Sequence, residues 1–252
     1  MGNEPIDPDA DNAQQCFPDP IRSKKEWRVL GQEDIDWLNS VAVCRRYEPG
    51  EFVFLEGDAC QGVYLIREGL VAVRKSNVDG EAVLLRLANF GDLMGYRPFL
   101  AGEPHRATAE VQKLSNICFI KSSFLRDLLL TRPALGAQLL KQVSRDLGDA
   151  EQRFHDAVTM SLRERLAHWL LVMKEPYGTE TADGKIILDL PISRHDMAEM
   201  LGVRSESLSR TIHQMSEDGV LRFSGHRAWI DNPDKLINEL SPYLVRSALT
   251  GQ

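Results

Sequence analysis

Residues 193–219 read SRHDMAEMLGVRSESLSRTIHQMSEDG, and the way these side chains sort around two helical axes decides how this part of the chain folds. Ser193 is placed to N-cap a helix, with Asp196 three residues on approximating a capping box. Met197, Met200 and Leu201 give that helix an apolar face, and Gly202 permits a sharp turn. A second helix is expected over about residues 204–217. At about 100° per residue with Glu206 as origin, Arg210 falls near 40°, His213 near 340° and Ser209 near 300°. Leu208, Ile212 and Met215 cluster on the opposite side, between about 180° and 240°. One face is therefore expected to be buried, while the other offers a carboxylate, a hydroxyl, a guanidinium and an imidazole. Helix, glycine turn and a helix with a hydrogen-bonding outer face make a helix-turn-helix, whose second helix enters a DNA major groove.

The residue types suit that groove. Arg210 can donate two hydrogen bonds to the O6/N7 edge of guanine and Glu206 can accept from a cytosine amine, with Ser209 beside them as a third base-reading group. Arg194, His195, Arg204 and Ser207 lie where phosphates would be met, which positions a protein on double-stranded DNA without reading sequence. Residues 186–190 and the pair 221–223 and 228–230, joined by Ser-Gly-His-Arg, are expected to form a β wing. The blander reading of Glu206 and Arg210 is a surface pair four residues apart.

Upstream the grammar differs. Residues 1–26 form an acidic segment: its first twenty positions hold five acidic residues, four prolines and no Lys or Arg, which reads as a mobile arm with too little apolar surface to offset its ordering entropy. Over residues 27–132, after a short helix near 30–38, brief apolar runs such as EFVFL, VYLI and LVAVRK alternate with Glu68-Gly69, Asp79-Gly80 and similar punctuation. That spacing specifies a small antiparallel β-roll. Over residues 133–158, Leu140, Val143, Leu147, Ala150, Phe154 and Ala157 recur at steps of three and four, the seam of a long helix that is otherwise polar. Such a seam suits a homodimer, with its own β-roll as the other available surface. The winged helix-turn-helix then occupies residues 159–232, opening with a helix over 161–174 that Pro176 ends, and residues 233–252 form a helical extension. The fold class is α+β.

Across its 252 residues the chain carries a net charge of −7, with 43% hydrophobic and 27% charged residues. These are ordinary globular values that exclude collagen, rod and wholesale disorder, and an acidic balance still permits a local cationic face. No apolar run approaches the roughly 20 residues of a membrane span. The N-terminus lacks the basic and apolar regions of a secretory signal, so a cytoplasmic protein is expected. Cys16, Cys44, Cys60 and Cys118 are far apart and form no CxxC, so no metal site is read from them. The six histidines form no HExxH, and no GxSxG elbow or phosphate loop appears. An enzyme is not expected; a ligand-binding module without DNA binding is the competing non-enzymatic reading.

Over roughly residues 30–232 the chain resembles the CRP/FNR family of bacterial transcription regulators. Residues 57–69, GDACQGVYLIREG, are similar to the family's cyclic-nucleotide-binding-type signature, and Phe90-Gly91-Asp92-Leu93-Met94-Gly95 resembles the segment opening its effector pocket. Residues 201–210, LGVRSESLSR, look like its recognition helix, and Glu206, Ser209 and Arg210 have the FNR-like form. The resemblance implies a homodimer reading a TTGAT-type half-site in an inverted repeat, with RNA polymerase as a partner. It places an effector pocket at Gly95, Tyr96, Arg97, Arg106 and Thr108. Members that bind cyclic AMP carry a pocket Glu and an Arg-Ser pair; here Tyr96 and Ala107 replace the Glu and the Ser, and only Arg106 remains, so cyclic AMP is not expected. Cys118 matches the distal cluster ligand of FNR-type members, but the N-terminal segment offers only Cys16 where an iron–sulfur cluster takes four thiolates. Haem-sensing members want Cys or His where this chain has Gly95 and Arg97. The signal stays open between an anionic molecule in the pocket, oxidation of Cys16 (with Cys118 as a second candidate), and no effector. Cys16 is otherwise a free surface thiol, and Cys118 a small buried hydrophobe.

Overall fold

The computed structural model describes residues 16–17, 21, 27–77, 82–182 and 184–240. Contacts divide the chain into two compact units, Met1–Leu147 and Gly148–Gln252. In the first, helix α1 (Gln32–Val41) precedes strands β1 (Val43–Tyr47), β2 (Phe52–Phe54), β3 (Gly62–Ser76), β4 (Ala82–Ala88) and β5 (Leu93–Met94). Helix α2 (Tyr96–Ala101), strand β6 (Thr108–Lys121) and helix α3 (Ser122–Thr131) follow. The sheet runs β1-β6-β3-β4, all antiparallel, with β2 also on β6 and β5 on β3.

The strands differ from expectation in length. Glu68-Gly69 reads as a turn between two short strands, yet it lies inside the 15-residue β3. The register against β6 shifts on both sides of Glu68, so the pair is a bulge that bends one long strand rather than ending it. Gly69 sits at φ 105°, and a Cβ there would lie 2.6 Å from the Cα of Ser115. Only glycine lets the two backbones approach so closely.

Strand alternation serves two cores. Tyr64, Ile66 and Ile117 face the interior of the roll with Val71, Ala109 and Val111. Val63, Leu65, Cys118 and Ile120 point the other way, against α1, α3, Leu135 and Leu139. This second core also contains Cys16, Phe17 and Ile21, none more than 4% exposed. Phe17 meets the Trp27 ring edge-on at 4.8 Å, and its N–H donates to Asn39 Oδ1 at 2.9 Å. The expected acidic arm therefore packs at these positions, because a few apolar side chains outweigh the composition around them. Cys16 is buried, not a surface thiol. Residues 1–15 lie outside the described residues.

Helix α4 (Pro133–Thr159) opens with proline at its first position, where no N–H is needed. Leu135 and Leu139 are buried, and Val143 packs on the same core, so this seam residue faces its own β-roll. Leu140, Leu147, Phe154 and Val158 are instead 65%, 59%, 74% and 69% exposed. Ala150 and Ala157 are exposed beside them.

In the second unit α5 (Leu162–Tyr177) starts at a capping box between Ser161 and Glu164. It runs through Pro176, which sits in its last turn, rather than stopping before it. Strands β7 (Gly178–Glu180), β8 (Ile186–Asp189), β9 (Arg222–Ser224) and β10 (Arg227–Ile230) form a sheet in the order β7-β8-β10-β9. Helices α6 (Arg194–Met200) and α7 (Ser205–Glu217) lie between β8 and β9 in sequence, and α8 (Pro233–Ile237) follows β10. Leu236 and Leu240 are buried, so the start of the expected extension belongs to this unit's core, and residues 241–252 lie outside the described residues. Among the described residues no helix is long and apolar enough to cross a membrane. Leu208 is fully buried beneath α7. Leu208→Ala is expected to destabilise the fold by about 2–5 kcal/mol, read as a lowered urea midpoint.

Candidate nucleic-acid interface and β-roll cavity

The geometry of α6 and α7 begins with local hydrogen bonds. The Ser193 hydroxyl accepts from the Asp196 N–H at 3.1 Å, and Asp196 Oδ2 accepts from the Ser193 N–H at 3.1 Å, which fixes the start of α6. At the turn, Gly202 takes φ 65° and its N–H donates to the Glu199 carbonyl at 2.9 Å. Arg165, from α5, donates to the Leu201 carbonyl at 2.6 Å, holding the same turn from outside. Arg163 donates to both carboxylate oxygens of Glu239, at 2.5 and 2.7 Å, and to Asp218 just past the end of α7. Those bonds hold its guanidinium far more firmly protonated than usual.

Against this frame α7 is two-sided. Leu208, Ile212 and Met215 are buried, while Glu206, Ser209, Arg210 and His213 are exposed. Glu206 and Arg210 form no ion pair with each other among the described residues, so their hydrogen-bonding groups remain available to a base edge. His213 pairs with Glu217 at 3.3 Å. The residues expected to meet phosphates are more varied. Arg204 is the exposed N-cap of α7, and Ser207 is half-buried in its first turn. His195 is exposed but lies 3.1 Å from Glu199 and 3.4 Å from Ser205 Oγ. Arg194 is half-buried with its guanidinium 5.5 Å above the Phe223 ring. In the wing, Arg227 pairs with Asp189 and Arg222 with Asp231, and both guanidinia lie over Trp229.

The first unit bears a cavity of about 680 Å³ that is open to solvent on one side. Gly95, Tyr96, Arg97 and Arg106 line it as expected, but Thr108 does not; its hydroxyl accepts from the Glu56 N–H at 3.0 Å. The Tyr96 hydroxyl donates to the Asp146 carboxylate on α4, and burial, joined by this bond, holds the phenol well above its ordinary pKa. Arg97 and Gln142 also reach Asp146, at 3.8 and 2.9 Å. Arg106 is largely exposed and pairs with Glu103 at 2.9 Å. Sequence reading missed Arg86 and His105, which line the same cavity from β4 and from the loop before β6. No spacing rule joins them. Arg86 Nε is buried without a hydrogen-bond partner, and His105 stacks on Phe54 at 3.8 Å.

The cysteines hold another result that spacing did not show. Cys44 faces Cys118 across the β1–β6 pairing, and the sulfurs of Cys16, Cys44 and Cys118 all lie within 4.8 Å of one another. Cys60 is elsewhere, its thiol donating to the Gly62 and Gly95 carbonyls, with burial raising its pKa.

A cyclic nucleotide-binding domain model matches residues 44–132, and a Crp-like helix-turn-helix domain model matches residues 164–239. The chain belongs to the CRP/FNR family. It is 26% identical to the anaerobic regulatory protein of Bacillus subtilis over 86% of this chain and 88% of that one. It is also 26% identical to the cyclic AMP receptor protein of Thermus thermophilus, over 77% and 86% respectively. The structure of FixK2 from Bradyrhizobium japonicum superposes with a TM-score of 0.68 at 26% identity, covering 80% of this chain and 98% of that one. As a member of this family the chain is a transcription regulator with a DNA-binding helix-turn-helix domain, and not an enzyme. The reading as a ligand-binding module lacking a DNA-binding domain is thereby set aside.

Burial holds His105 below its ordinary pKa, so the folded protein keeps it neutral where the unfolded chain would take up a proton. Its contribution to stability is complete above about pH 6.5 and is lost as pH falls below that value. His105→Phe, which can keep the stack on Phe54, is expected to flatten the fall in melting temperature between about pH 7 and about pH 5.

Proposed function

We propose that this CRP/FNR regulator works as a homodimer that reads a TTGAT-type inverted repeat through Glu206, Ser209 and Arg210. The observation that carries the reading is the two-sided α7: three apolar side chains are buried, and the base-reading groups stand exposed and unpaired with one another. Arg204 and Ser207 are assigned to phosphates, with His195 joining them once its contact to Glu199 is exchanged. Arg194, stacked on Phe223, supports the wing and meets phosphate through its exposed edge.

The exposed apolar run Leu140, Leu147, Phe154 and Val158 supports the dimer, with Ala150 and Ala157 allowing close approach. A solvent-exposed stripe of this kind on one helix is stabilised by a second copy. In such a dimer two recognition helices stand roughly 34 Å apart, one DNA turn. Working on DNA, the protein acts in the cytoplasm with RNA polymerase as partner.

The signal enters through the cavity. Lys75, Arg86, Arg97 and Arg106 converge there on largely apolar walls, a lining that suits a small anionic molecule with an apolar body. Tyr96 stands where cyclic-AMP-binding members carry a carboxylate, and its hydroxyl is engaged by Asp146 on α4. A ligand that disturbs this contact changes the helix that also carries the dimer stripe, which is how occupancy biases the DNA-binding state.

In a mobility-shift assay Arg210→Ala is expected to lose about 1–3 kcal/mol of discrimination against a substituted half-site while the dimer stays intact. An unchanged sequence preference rejects the base-reading role. Tyr96→Phe leaves the fold in place and is expected to change DNA affinity without any added ligand; identical affinity rejects the coupling through Asp146.

A further inference from the structure

We infer that Cys16, Cys44 and Cys118 form a three-thiolate site for a soft divalent metal ion. The inference rests on the reading of the chain as a DNA-binding regulator, because that reading places it in a reducing compartment, where convergent cysteines stay as thiols and disulfides do not persist.

Three segments bring the sulfurs together. Cys118 lies on β6 and Cys44 directly opposite on β1, while Cys16 arrives from the N-terminal segment that packs under α1. All three Sγ atoms fall within 4.8 Å of one another. Cys44 approaches both of the others, at sequence separations of 28 and 74, and one sulfur cannot bond covalently to two partners at once. A disulfide therefore accounts for two members and leaves the third unexplained. A metal accounts for all three: thiolates 2.3 Å from a tetrahedral zinc-like ion lie about 3.8 Å apart, a spacing that the three converging side chains reach by moving apart around the ion.

The surroundings fit as well. Cys16 and Cys118 are buried among Phe17, Leu38, Leu65 and Ile120, and Cys44 is half-buried, which leaves a route of entry. Three thiolates are too costly in such a place without a cation. Trp27 Nε1, in the same apolar core, is a buried N–H without a hydrogen-bond partner among the described residues, a donor of the kind that stabilises metal-bound sulfur. An iron–sulfur cluster takes four thiolates, and Cys60 bonds elsewhere, so a mononuclear ion with one exogenous ligand matches the donor set better. Bound there, the ion ties the Cys16 segment to two strands of the β-roll.

Purified full-length protein is reduced and stripped of metal, then titrated anaerobically with Co2+, whose bonds to thiolates give a near-ultraviolet charge-transfer band. The expected result is saturation at about one equivalent per chain, displaced by Zn2+. Cys44→Ser and Cys118→Ser should each lower affinity at least about tenfold, and Cys60→Ser should leave it unchanged. Circular dichroism of each variant shows whether it is folded; should either serine variant unfold, Cys16→Ser, which replaces the third thiolate by a weakly coordinating hydroxyl, supplies the same comparison. Absence of the band, equal binding by the Cys44→Ser variant, or isolation of the protein with iron and acid-labile sulfide overturns the inference. DNA binding is measured on the same samples with and without metal. A protein that binds DNA but no metal refutes this site alone, whereas one that takes up metal but discriminates no DNA sequence refutes the regulator reading alone.

Discussion

Burial of Leu208, Ile212 and Met215 is the constraint on which the DNA-binding unit depends. A helix rolled by one residue about its axis turns by about 100°, enough to carry Arg210 off the outer face and put a charge into the core. Three buried apolar side chains at helical spacing leave one roll angle available. Arg165 on the Leu201 carbonyl and Arg163 on Glu239 and Asp218 then fix the two ends of α7 against the rest of its unit. Glu206, Ser209 and Arg210, the proposed base-reading groups, stand exposed outside this packing. That independence leaves the outer face of α7 free for the proposed DNA contacts while the inner face keeps the fold.

The first unit carries the opposite arrangement, in which polar groups are drawn inward. Tyr96 is buried at the cavity and spends its hydroxyl on Asp146, while Arg97 and Gln142 meet the same carboxylate. Asp146 belongs to the 27-residue α4, whose apolar positions divide between its own core and solvent. Val143 and Leu139 anchor the helix to the β-roll; Leu140, one position away from Leu139, points out. A single helix thus bears a packing face, an electrostatic contact with the cavity and an exposed apolar stripe. In the proposed mechanism this helix carries the signal, since anything that moves Tyr96 acts on it through Asp146.

How much of this was legible in the chain varies with the range of the interaction. The helix-turn-helix was readable because its determinants are local: a cap three residues from its partner, a glycine with positive φ and a period of 3.6. The punctuation that reported the β-roll was also local, and it misled at Glu68-Gly69, where a bulge inside one strand has the same residues as a turn between two. The acidic composition of the N-terminal segment hid Cys16, Phe17 and Ile21, since an average over the segment does not register three side chains that find a core. Thr108 was expected in the cavity with Arg106, but it opens β6 and its hydroxyl serves the Glu56 N–H, while Ala107 beside it lines the cavity instead.

By itself, then, the amino-acid order determined the class of each segment, the two faces of α7 and the family to which the chain belongs, because these follow from spacings of a few residues. Tertiary structure alone decided which polar groups share a cavity, which seam residues turn inward and which cysteines meet. Cys44 and Cys118 are neighbours only because strands far apart in sequence pair in one register, and Arg86 and His105 line one cavity because the segments that carry them pack around it. That register is chosen by the burial of many side chains at once, a collective quantity that no short stretch of the chain contains.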